Sequence, residues 1–485
     1  MDLEDARLDC LSPLDGRYQS QTAVLRPIFS ERGLILYRIK VEVLYLLKLI
    51  DTIYPDLDSK KLEVIKNKLR FLHSDVNFSV TRVKQIESKI NHDVKSVEYY
   101  IKEKLQEFAD SDQSLKKIIT KIKPLVHFGL TSQDITTLSL WMQLKDVKSI
   151  YQGEIAGIQN KLRLFFKQYK STPMLAHTHG QIASPTFIGK EFMVFAERID
   201  NQLQQLDNVF SNAKVKFGGA VGNFNAHAYS YGHVNWLKWA DEFVESIGFK
   251  RAQFTTQIDH YDMMGAYFDC IKRINTILMD LCIDVWEYIS RDYLTLAIND
   301  NEVGSSAMPH KVNPINFENS EGNLHLANST FELLTRKLPV SRMQRDLTDS
   351  TITRNIGVAF GYTFVALNNI AKGLKKITPN IKVLHKELEE NSVVISEGLQ
   401  SLLKKEGIAD GYEMLKEFTR KHSKPSMYDF KQFIKNLDVD DFTERKMLCL
   451  SPIIYTGIIP NDYKNKNRYM SSSLDSISSM IGPFV

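Results

Sequence analysis

The stretch MGAYFDCIKRINTILMDLCIDVWEY, residues 264–288, decides the fold class of this chain. Its apolar residues recur at steps of three and four, which places them on one face of an α-helix. Other apolar residues, including Ile277, Met279 and Cys282, lie off this face. A helix that is apolar on several sides is buried inside a bundle or against another subunit. The main face comprises Met264, Phe268, Ile271, Ile274, Leu278, Leu281, Val285 and Tyr288.

Three other long segments are typical of helices: 135–169, 188–209 and 356–374. Helix breakers are scarce, because the 485 residues include only 23 Gly and 14 Pro, and no proline falls between Pro185 and Pro309. We therefore predict an all-α fold with a central long-helix bundle. The length predicts three domains. Breaks at 109–114 and 373–379 divide the chain into an N-terminal helical domain (1–121), a bundle domain (122–372) and a C-terminal helical domain (373–485), with a tail after about residue 461.

Charge and cysteine content narrow the class of protein. The chain has 62 basic and 58 acidic residues, and its net charge of +4 is too small to favour nucleic acid as the main partner. Charged residues interrupt the most apolar early stretch, 34–50, so we expect no membrane span. The N-terminal sequence MDLEDARLDC is acidic and polar, so we expect no secretory signal. The cysteines form no metal-binding or redox pair, which favours free thiols and a cytoplasmic protein. They are Cys10, Cys270, Cys282 and Cys449.

The clearest interruption of the helical pattern is NDNEVGSSAMPHKVNP, residues 299–314. Its prolines, glycine and Asn/Asp residues predict a loop. The loop offers the hydroxyls of Ser305 and Ser306 and the cation of Lys311. It is either a binding segment or a simple connector between helices.

A second interruption, STPMLAHTHGQIASP at 171–185, contains His177 and His179. A metal pair is not favoured, since no further ligands have matching spacing. A histidine in such a break is either an acid–base group or a satisfied polar residue. Metal is therefore not part of the predicted site.

A third segment, TSQD at 131–134, has the form of a helix cap. A helix N-terminus also suits a carboxylate or phosphate, so capping and anion binding are compatible. Further polar fragments lie at 15–18 (DGRY), at 91–93 (NHD) and around Arg342 to Arg354. Together these segments predict a site rich in donors for anions, with histidine and serine as proton-transfer groups.

The stretch GSSAMPHKVNP, residues 304–314, closely resembles the signature of the fumarase/aspartase superfamily of eliminating lyases. Six further motifs occur along the chain. Their combination and order resemble those of the adenylosuccinate lyase family of that superfamily, in its bacterial-type branch. The resemblance extends from about residue 12 to about residue 457. The six motifs are SPLDGRY (12–18), NHDVKSVEYY (91–100), TSQD (131–134), THGQ (178–181), TTQID (255–259) and QRDLTDSTITR (344–354).

This resemblance implies a homotetramer with a shared helical core, in which several subunits build each active site. It also implies a carbon–nitrogen lyase that needs no cofactor and releases fumarate from two substrates of purine biosynthesis. These are adenylosuccinate, which gives AMP, and the succinyl-carboxamide ribotide SAICAR, which gives AICAR. Two alternatives stay open: another fumarate-releasing lyase, such as argininosuccinate lyase or fumarase, and a non-catalytic helical assembly protein.

The resemblance also implies a role for individual residues. Ser305 is the general base, His179 is the general acid, and Glu318 orients His179. The succinyl portion is held by Thr131, Ser132, Ser306, Lys311 and Asn319, with Gln257 nearby. Phosphate and nucleotide are held by Arg17, Tyr18, Arg345, Ser350 and Arg354, while Asn91, His92 and Asp93 line the site. One departure is His177, which stands where the family commonly has arginine.

Overall fold

The computed structural model describes residues 8–72, 76–297, 308, 311–421 and 424–460. Helices dominate these residues, and the all-α prediction is confirmed. The first half of the chain contains α1 (Gln19–Thr22), α2 (Arg26–Phe29), α3 (Glu31–Ile53), α4 (Ser59–Arg70), α5 (Val76–Ile90), α6 (Asp93–Ser111), α7 (Lys116–Ile122), α8 (Ser132–Tyr169), α9 (Ile188–Ser211), α10 (Asn225–Ser230) and α11 (Trp236–Ile247). The second half contains α12 (Asp262–Ser290), α13 (Ile315–Lys337), α14 (Thr348–Thr353), α15 (Ile356–Gly373), α16 (Ile381–Glu390), α17 (Ser396–Lys405), α18 (Gly411–Lys421), α19 (Met427–Lys435) and α20 (Asp441–Leu448).

The four predicted long helices correspond to α8, α9, α12 and α15. Helix α12 follows the apolar pattern closely, since Phe268, Ile271 and Leu278 are completely buried. Cys282, off the main face, is also buried, whereas Ile283 and Trp286 are 45% and 42% exposed. The helix is therefore apolar on more than one side, as its sequence predicts.

Short strands occupy several of the breaks between helices. Strands β1 (Pro173–Thr178) and β2 (Gln181–Phe187) form an antiparallel hairpin with an irregular register between Leu175 and His177. The remaining strands are β3 (Lys214–Val215), β4 (Lys250–Arg251), β5 (Leu294–Leu296) and β6 (Ile377–Pro379), of which β3 pairs parallel with β4 and β5 pairs antiparallel with β6. The predicted break at 171–185 is therefore largely a β-hairpin.

The chain divides into two compact units. The first combines Met1–Ile158, Arg198–Cys282 and Asn316–Ala371, and the second combines Gln159–Glu197, Ile283–Ile315 and Lys372–Val485. The division into three domains at residues 121 and 372 stays a prediction. No helix of the described residues is long and apolar enough to cross a membrane. Cys270 and Cys282 are buried, Cys10 and Cys449 are exposed, and none of these four described residues forms a disulfide.

Buried apolar residues form the core of each unit. In the first unit, Ile39, Leu46 and Ile50 of α3 are completely buried. In the second unit, helices α17 to α20 enclose a cluster of their own. Its buried residues are Ile395, Leu399, Leu403, Leu415, Phe430, Ile434 and Met447.

Candidate active site

The predicted cap at 131–134 begins helix α8 in the first unit. The backbone N–H of Thr131 donates to Asp134 Oδ2 at 2.8 Å, and the N–H of Asp134 donates to the Thr131 carbonyl at 3.0 Å. These two bonds close the first helical turn and satisfy donors that a helix N-terminus otherwise leaves unpaired. Thr131 and Ser132 are half-buried, whereas Gln133 and Asp134 are buried. The cap prediction is confirmed, and the two hydroxyl residues remain at the accessible end of the turn.

Asp134 also forms a buried ion pair that the sequence did not reveal. Lys216 Nζ donates to Asp134 Oδ1 at 2.7 Å, and both side chains are 0% exposed. The Gly218 N–H donates to the same oxygen at 2.8 Å. Burial lowers the pKa of Lys216, and the Asp134 carboxylate opposes this shift. Because the charged groups satisfy each other, the pair can remain inside the first unit.

A second buried network connects the start of α8 with α14. Gln133 Nε2 and the Tyr261 hydroxyl both donate to Asp349 Oδ2, and the distance from the Tyr261 hydroxyl is 3.0 Å. The Tyr261 N–H in turn donates to Asp259 Oδ1 at 2.7 Å. Asp349 immediately precedes Ser350, so the network fixes the backbone beside a residue predicted to bind the nucleotide.

Arg354, another predicted nucleotide residue, belongs to a network of charges. Its guanidinium donates to Asp93 Oδ2 at 3.0 Å and to Glu31 Oε2 at 3.3 Å. Arg38 donates to the same Asp93 oxygen at 2.8 Å. Burial on its own would raise the pKa of Asp93, but Arg38 and other donors hold it below its usual value. A pocket lined by Arg38, Ser350 and Arg354 adjoins this network.

The structure brings together two further pairs of predicted residues. Asn319 Nδ2 lies 3.1 Å from the Tyr18 hydroxyl. This contact connects a residue predicted to bind the succinyl portion with one predicted to bind the nucleotide. Arg345 donates to Gln257 Oε1 at 3.3 Å. Arg17, which is exposed, immediately precedes Tyr18 in the chain. The first unit therefore assembles several of the predicted residues from segments distant in sequence.

The NHD segment is where helix α6 begins. His92 is the N-cap residue, and its Nδ1 accepts a hydrogen bond of 3.1 Å from the Lys95 N–H. Asn91, exposed, has a positive φ of 53°, which turns the chain into the cap. Asp93 is the first helical residue, so the NHD segment forms the N-terminus of this helix.

The second unit contains the predicted residues His179 and Lys311. His179 lies at the turn of the hairpin, exposed and with a positive φ of 54°, followed by Gly180 at 71°. Lys311 is exposed, and its N–H donates to the Met308 carbonyl at 3.0 Å. The predicted base Ser305 and its neighbour Ser306 lie outside the described residues.

His177 lies in strand β1, where its Nε2 is 3.8 Å from Glu387 Oε1. Burial and the nearby Arg291 lower the pKa of His177, although Glu387 opposes them. The Tyr293 hydroxyl donates to Glu387 as well. His177 therefore belongs to a polar cluster of the second unit and is a weaker anion partner than an arginine would be.

Two family models match this chain in succession. The model described as Lyase covers residues 16–326, and the one described as Adenylosuccinate lyase C-terminal covers residues 341–456. The helical fold and these matches define the chain as a lyase, and as an enzyme that breaks carbon–nitrogen bonds. An adenylosuccinate lyase of Dictyostelium discoideum is 43% identical over 468 residues, which is 94% of this chain and 97% of that protein. An adenylosuccinate lyase of Escherichia coli strain K12 is 40% identical over 94% of this chain and 98% of its own length. The chain belongs to the adenylosuccinate lyase family.

Solved structures agree on the fold. A 3-carboxy-cis,cis-muconate lactonizing enzyme from Pseudomonas putida has a TM-score of 0.69 at 16% identity, covering 90% of this chain and 94% of that chain. A fumarate lyase from Mesorhizobium sp. BNC1 has a TM-score of 0.67 at 14% identity, covering 89% of this chain and 94% of that chain. At such low identity the likeness concerns the fold alone.

Proposed function

We propose that this chain eliminates fumarate from adenylosuccinate, giving AMP, and from SAICAR, giving AICAR. The observation that carries the proposal is the match to the adenylosuccinate lyase C-terminal model over residues 341–456. That region contains Arg345, Ser350 and Arg354, three of the five residues proposed to hold the phosphate and nucleotide. Two of them, Ser350 and Arg354, line one pocket of the first unit.

The reaction needs a base that removes a proton from the carbon adjacent to the C–N carbon, and an acid that protonates the departing nitrogen. Ser305 removes the proton from the carbon next to the succinyl carboxylate. The electron pair left on that carbon forms the C=C bond of fumarate as the C–N bond breaks, the C–N electron pair stays on nitrogen, and His179 protonates that nitrogen. Lys311 stabilises the serine alkoxide electrostatically, because a serine hydroxyl is otherwise a weak base. The exposed position of His179 at the hairpin turn is compatible with a group that must reach a substrate.

The carbanion formed by proton removal spreads its charge onto the adjacent carboxylate. Donors placed around that carboxylate therefore stabilise the transition state more than the ground state. We assign this role to Thr131 and Ser132 at the N-terminus of α8, where the helix dipole also favours an anion. Ser306, Lys311, Asn319 and Gln257 complete the succinyl site.

The nucleotide portion requires positive charge for its phosphate and polar groups for its ring and ribose. Arg17, Tyr18, Arg345, Ser350 and Arg354 supply these contacts. The segment Asn91, His92 and Asp93 lines the same region. The hydrogen bond between Tyr18 and Asn319 supports a site in which the nucleotide and succinyl groups are held side by side.

We further propose that the chain is a cytoplasmic homotetramer with active sites shared between subunits and with no nucleic acid partner. Exposed apolar residues on two long helices support such an assembly, because exposed apolar patches mark protein–protein contact sites. Ile283 and Trp286 of α12 are 45% and 42% exposed, and Leu326 and Leu333 of α13 are 51% and 43% exposed. The free thiols fit a reducing compartment.

The direct test incubates the purified chain with adenylosuccinate and measures AMP and fumarate. Equal amounts of both products support the proposal. Argininosuccinate, malate and SAICAR complete the panel. Fumarate from argininosuccinate or malate but not from adenylosuccinate would assign another lyase activity, and no fumarate from any substrate would favour a non-catalytic assembly protein.

Two variants test the catalytic assignments. Ser305→Ala should lose turnover while still binding adenylosuccinate, and His179→Ala should also be inactive. If sites are shared between subunits, unfolding and refolding the two variants together should restore part of the activity. Near-normal kcat in Ser305→Ala would remove it as the base. Mixed tetramers, verified by mass spectrometry, that stay inactive would contradict sharing.

A further inference from the structure

A buried lysine lies directly behind the proposed succinyl site. Lys216 Nζ donates to Asp134 Oδ1 and to the Gly219 carbonyl, each at 2.7 Å. The Lys216 N–H donates to Asp259 Oδ2 at 3.0 Å. A lysine with 0% exposure is unusual, and it is tolerated because its charge is paired and hydrogen-bonded.

The two oxygens of the Asp134 carboxylate accept hydrogen bonds from different segments of the chain. Oδ2 accepts from the Thr131 N–H at 2.8 Å, while Oδ1 accepts from Lys216 and from the Gly218 N–H at 2.8 Å. The Gly219 N–H contacts both oxygens, at 3.2 and 3.3 Å. The first turn of α8 is therefore tied to the glycine-rich loop 218–222 through one side chain.

That glycine loop packs tightly against two other segments of the site. A Cβ atom added to Gly219, whose φ is 77°, would lie 2.8 Å from the Gly129 carbonyl. One added to Gly222, whose φ is 86°, would lie 2.4 Å from the Thr255 carbonyl. The loop thus touches Gly129 and Thr255. These lie two residues before Thr131 and Gln257, which are both proposed to serve the succinyl group.

We propose that Lys216 is a positioning residue for the elimination: through Asp134 it holds the Thr131–Ser132 turn and the glycine loop in the arrangement that binds the succinyl carboxylate. Lys216 acts through Asp134 and does not touch the substrate. The inference rests on the proposed function.

The test compares Lys216→Met with Lys214→Met in the full-length protein. Lys214 is exposed and lies two residues earlier, in β3, so it controls for loss of a lysine in the same segment of the chain. The inhibition constants of fumarate and of AMP report on the succinyl and nucleotide sites separately. In Lys216→Met we expect kcat to fall at least tenfold and the Ki of fumarate to rise at least tenfold, with the Ki of AMP changed less than threefold. Lys214→Met should change none of these values by more than twofold.

A merely structural role would weaken both sites together. Equal increases in the two inhibition constants, or no change in either, would overturn the proposal. Lys216→Met leaves the Asp134 charge unpaired and can fail to fold, so the double variant Lys216→Met/Asp134→Asn, which removes both charges, is measured as well. We expect it to fold and to show the same selective loss at the succinyl site. Failure of the double variant to fold would also overturn the proposal, since Lys216 would then serve the fold alone.

Hydrogen exchange gives a readout that needs no substrate. In Lys216→Met, the rate of amide hydrogen exchange should increase at least fivefold in peptides covering 129–136 and 216–222. The rates in other peptides should not change. If wild-type protein releases no fumarate from adenylosuccinate, the proposed function fails, whereas this exchange pattern still tests the positioning. A uniform increase across the chain would contradict it.

Discussion

Replacing Gly129 by alanine should destabilise the protein strongly. Gly129 has a φ of 67°, a region that costs an alanine about 1–2 kcal/mol. An added Cβ would lie 2.4, 2.6 and 2.8 Å from three atoms of the His227 ring. That ring cannot move away easily, because it is completely buried, packs against Trp236 at 4.8 Å between centroids, and lies 2.9 Å from the Tyr45 hydroxyl. Overpacking of this kind costs about 1–3 kcal/mol.

The expected loss in the free energy of unfolding is therefore about 2–5 kcal/mol, measured by urea unfolding at one protein concentration. Gly407→Ala is the matched control, because Gly407 has a φ of 80° and no atom within 4 Å of its added Cβ. It should lose only about 1–2 kcal/mol, the backbone contribution. The turnover of Gly129→Ala should fall as well, since Gly129 immediately precedes the segment that leads into Thr131.

A double variant isolates the steric contribution. Removing the ring in Gly129→Ala/His227→Ala relieves the overlap, so the two substitutions should be less harmful together than the sum of their separate effects, by about 1–3 kcal/mol. Strict additivity would refute the reasoning, as would a Gly129→Ala variant no less stable than Gly407→Ala. Either result would mean that the chain near Gly129 adjusts freely around His227.

Two other predictions concern charge. Burial lowers the pKa of His227 from 6.5 to about 4. Between pH 4 and pH 6.5, His227 is therefore protonated in the unfolded chain and neutral in the folded protein. The stability that this provides is complete above pH 6.5 and is lost as the pH falls towards 4, by up to about 1.4 kcal/mol per pH unit. Urea unfolding at pH 6.5 and pH 5 should show this loss, and a His227→Gln variant should lack it; an identical pH dependence in both would contradict the assignment. Asp93→Asn removes the charge shared by Arg38 and Arg354 and should lower the free energy of unfolding by about 1–3 kcal/mol, whereas the exposed Asp110→Asn should change it by less than about 0.5 kcal/mol. Equal effects of the two substitutions would show that the shared charge is unimportant.

The long helices were predictable because their signal is local. In α12, apolar residues at steps of three and four uninterrupted by proline determine both the helix and its buried face. The hairpin of β1 and β2 was predicted only as a break. Its strands are six and seven residues long, and three consecutive buried residues, Pro173 to Leu175, give no alternating pattern. Such a pairing depends on a partner strand more than on local propensity.

The buried polar residues of the site were less predictable. Lys216 and Asp134 are 82 residues apart, and a lysine is ordinarily exposed, so its burial becomes visible only when the fold brings the two together. Arg38 and Glu42 interrupt an apolar stretch and argue against a membrane span, yet the structure buries them to 5% and 1% exposure. The glycine-rich stretch after Lys216 was the available signal, because repeated glycines often mark close backbone approach.

The cap made by His92 has a consequence for ligand selectivity. Because Nδ1 accepts the hydrogen bond from the Lys95 N–H, that nitrogen carries no proton, and the neutral ring must bear its proton on Nε2. The ring is therefore locked in one tautomer by the backbone of its own helix. Its half-exposed outer edge offers a donor and no acceptor. If a nucleotide binds beside His92, as proposed, it must present a lone pair to this ring, such as a phosphate oxygen or a ring nitrogen.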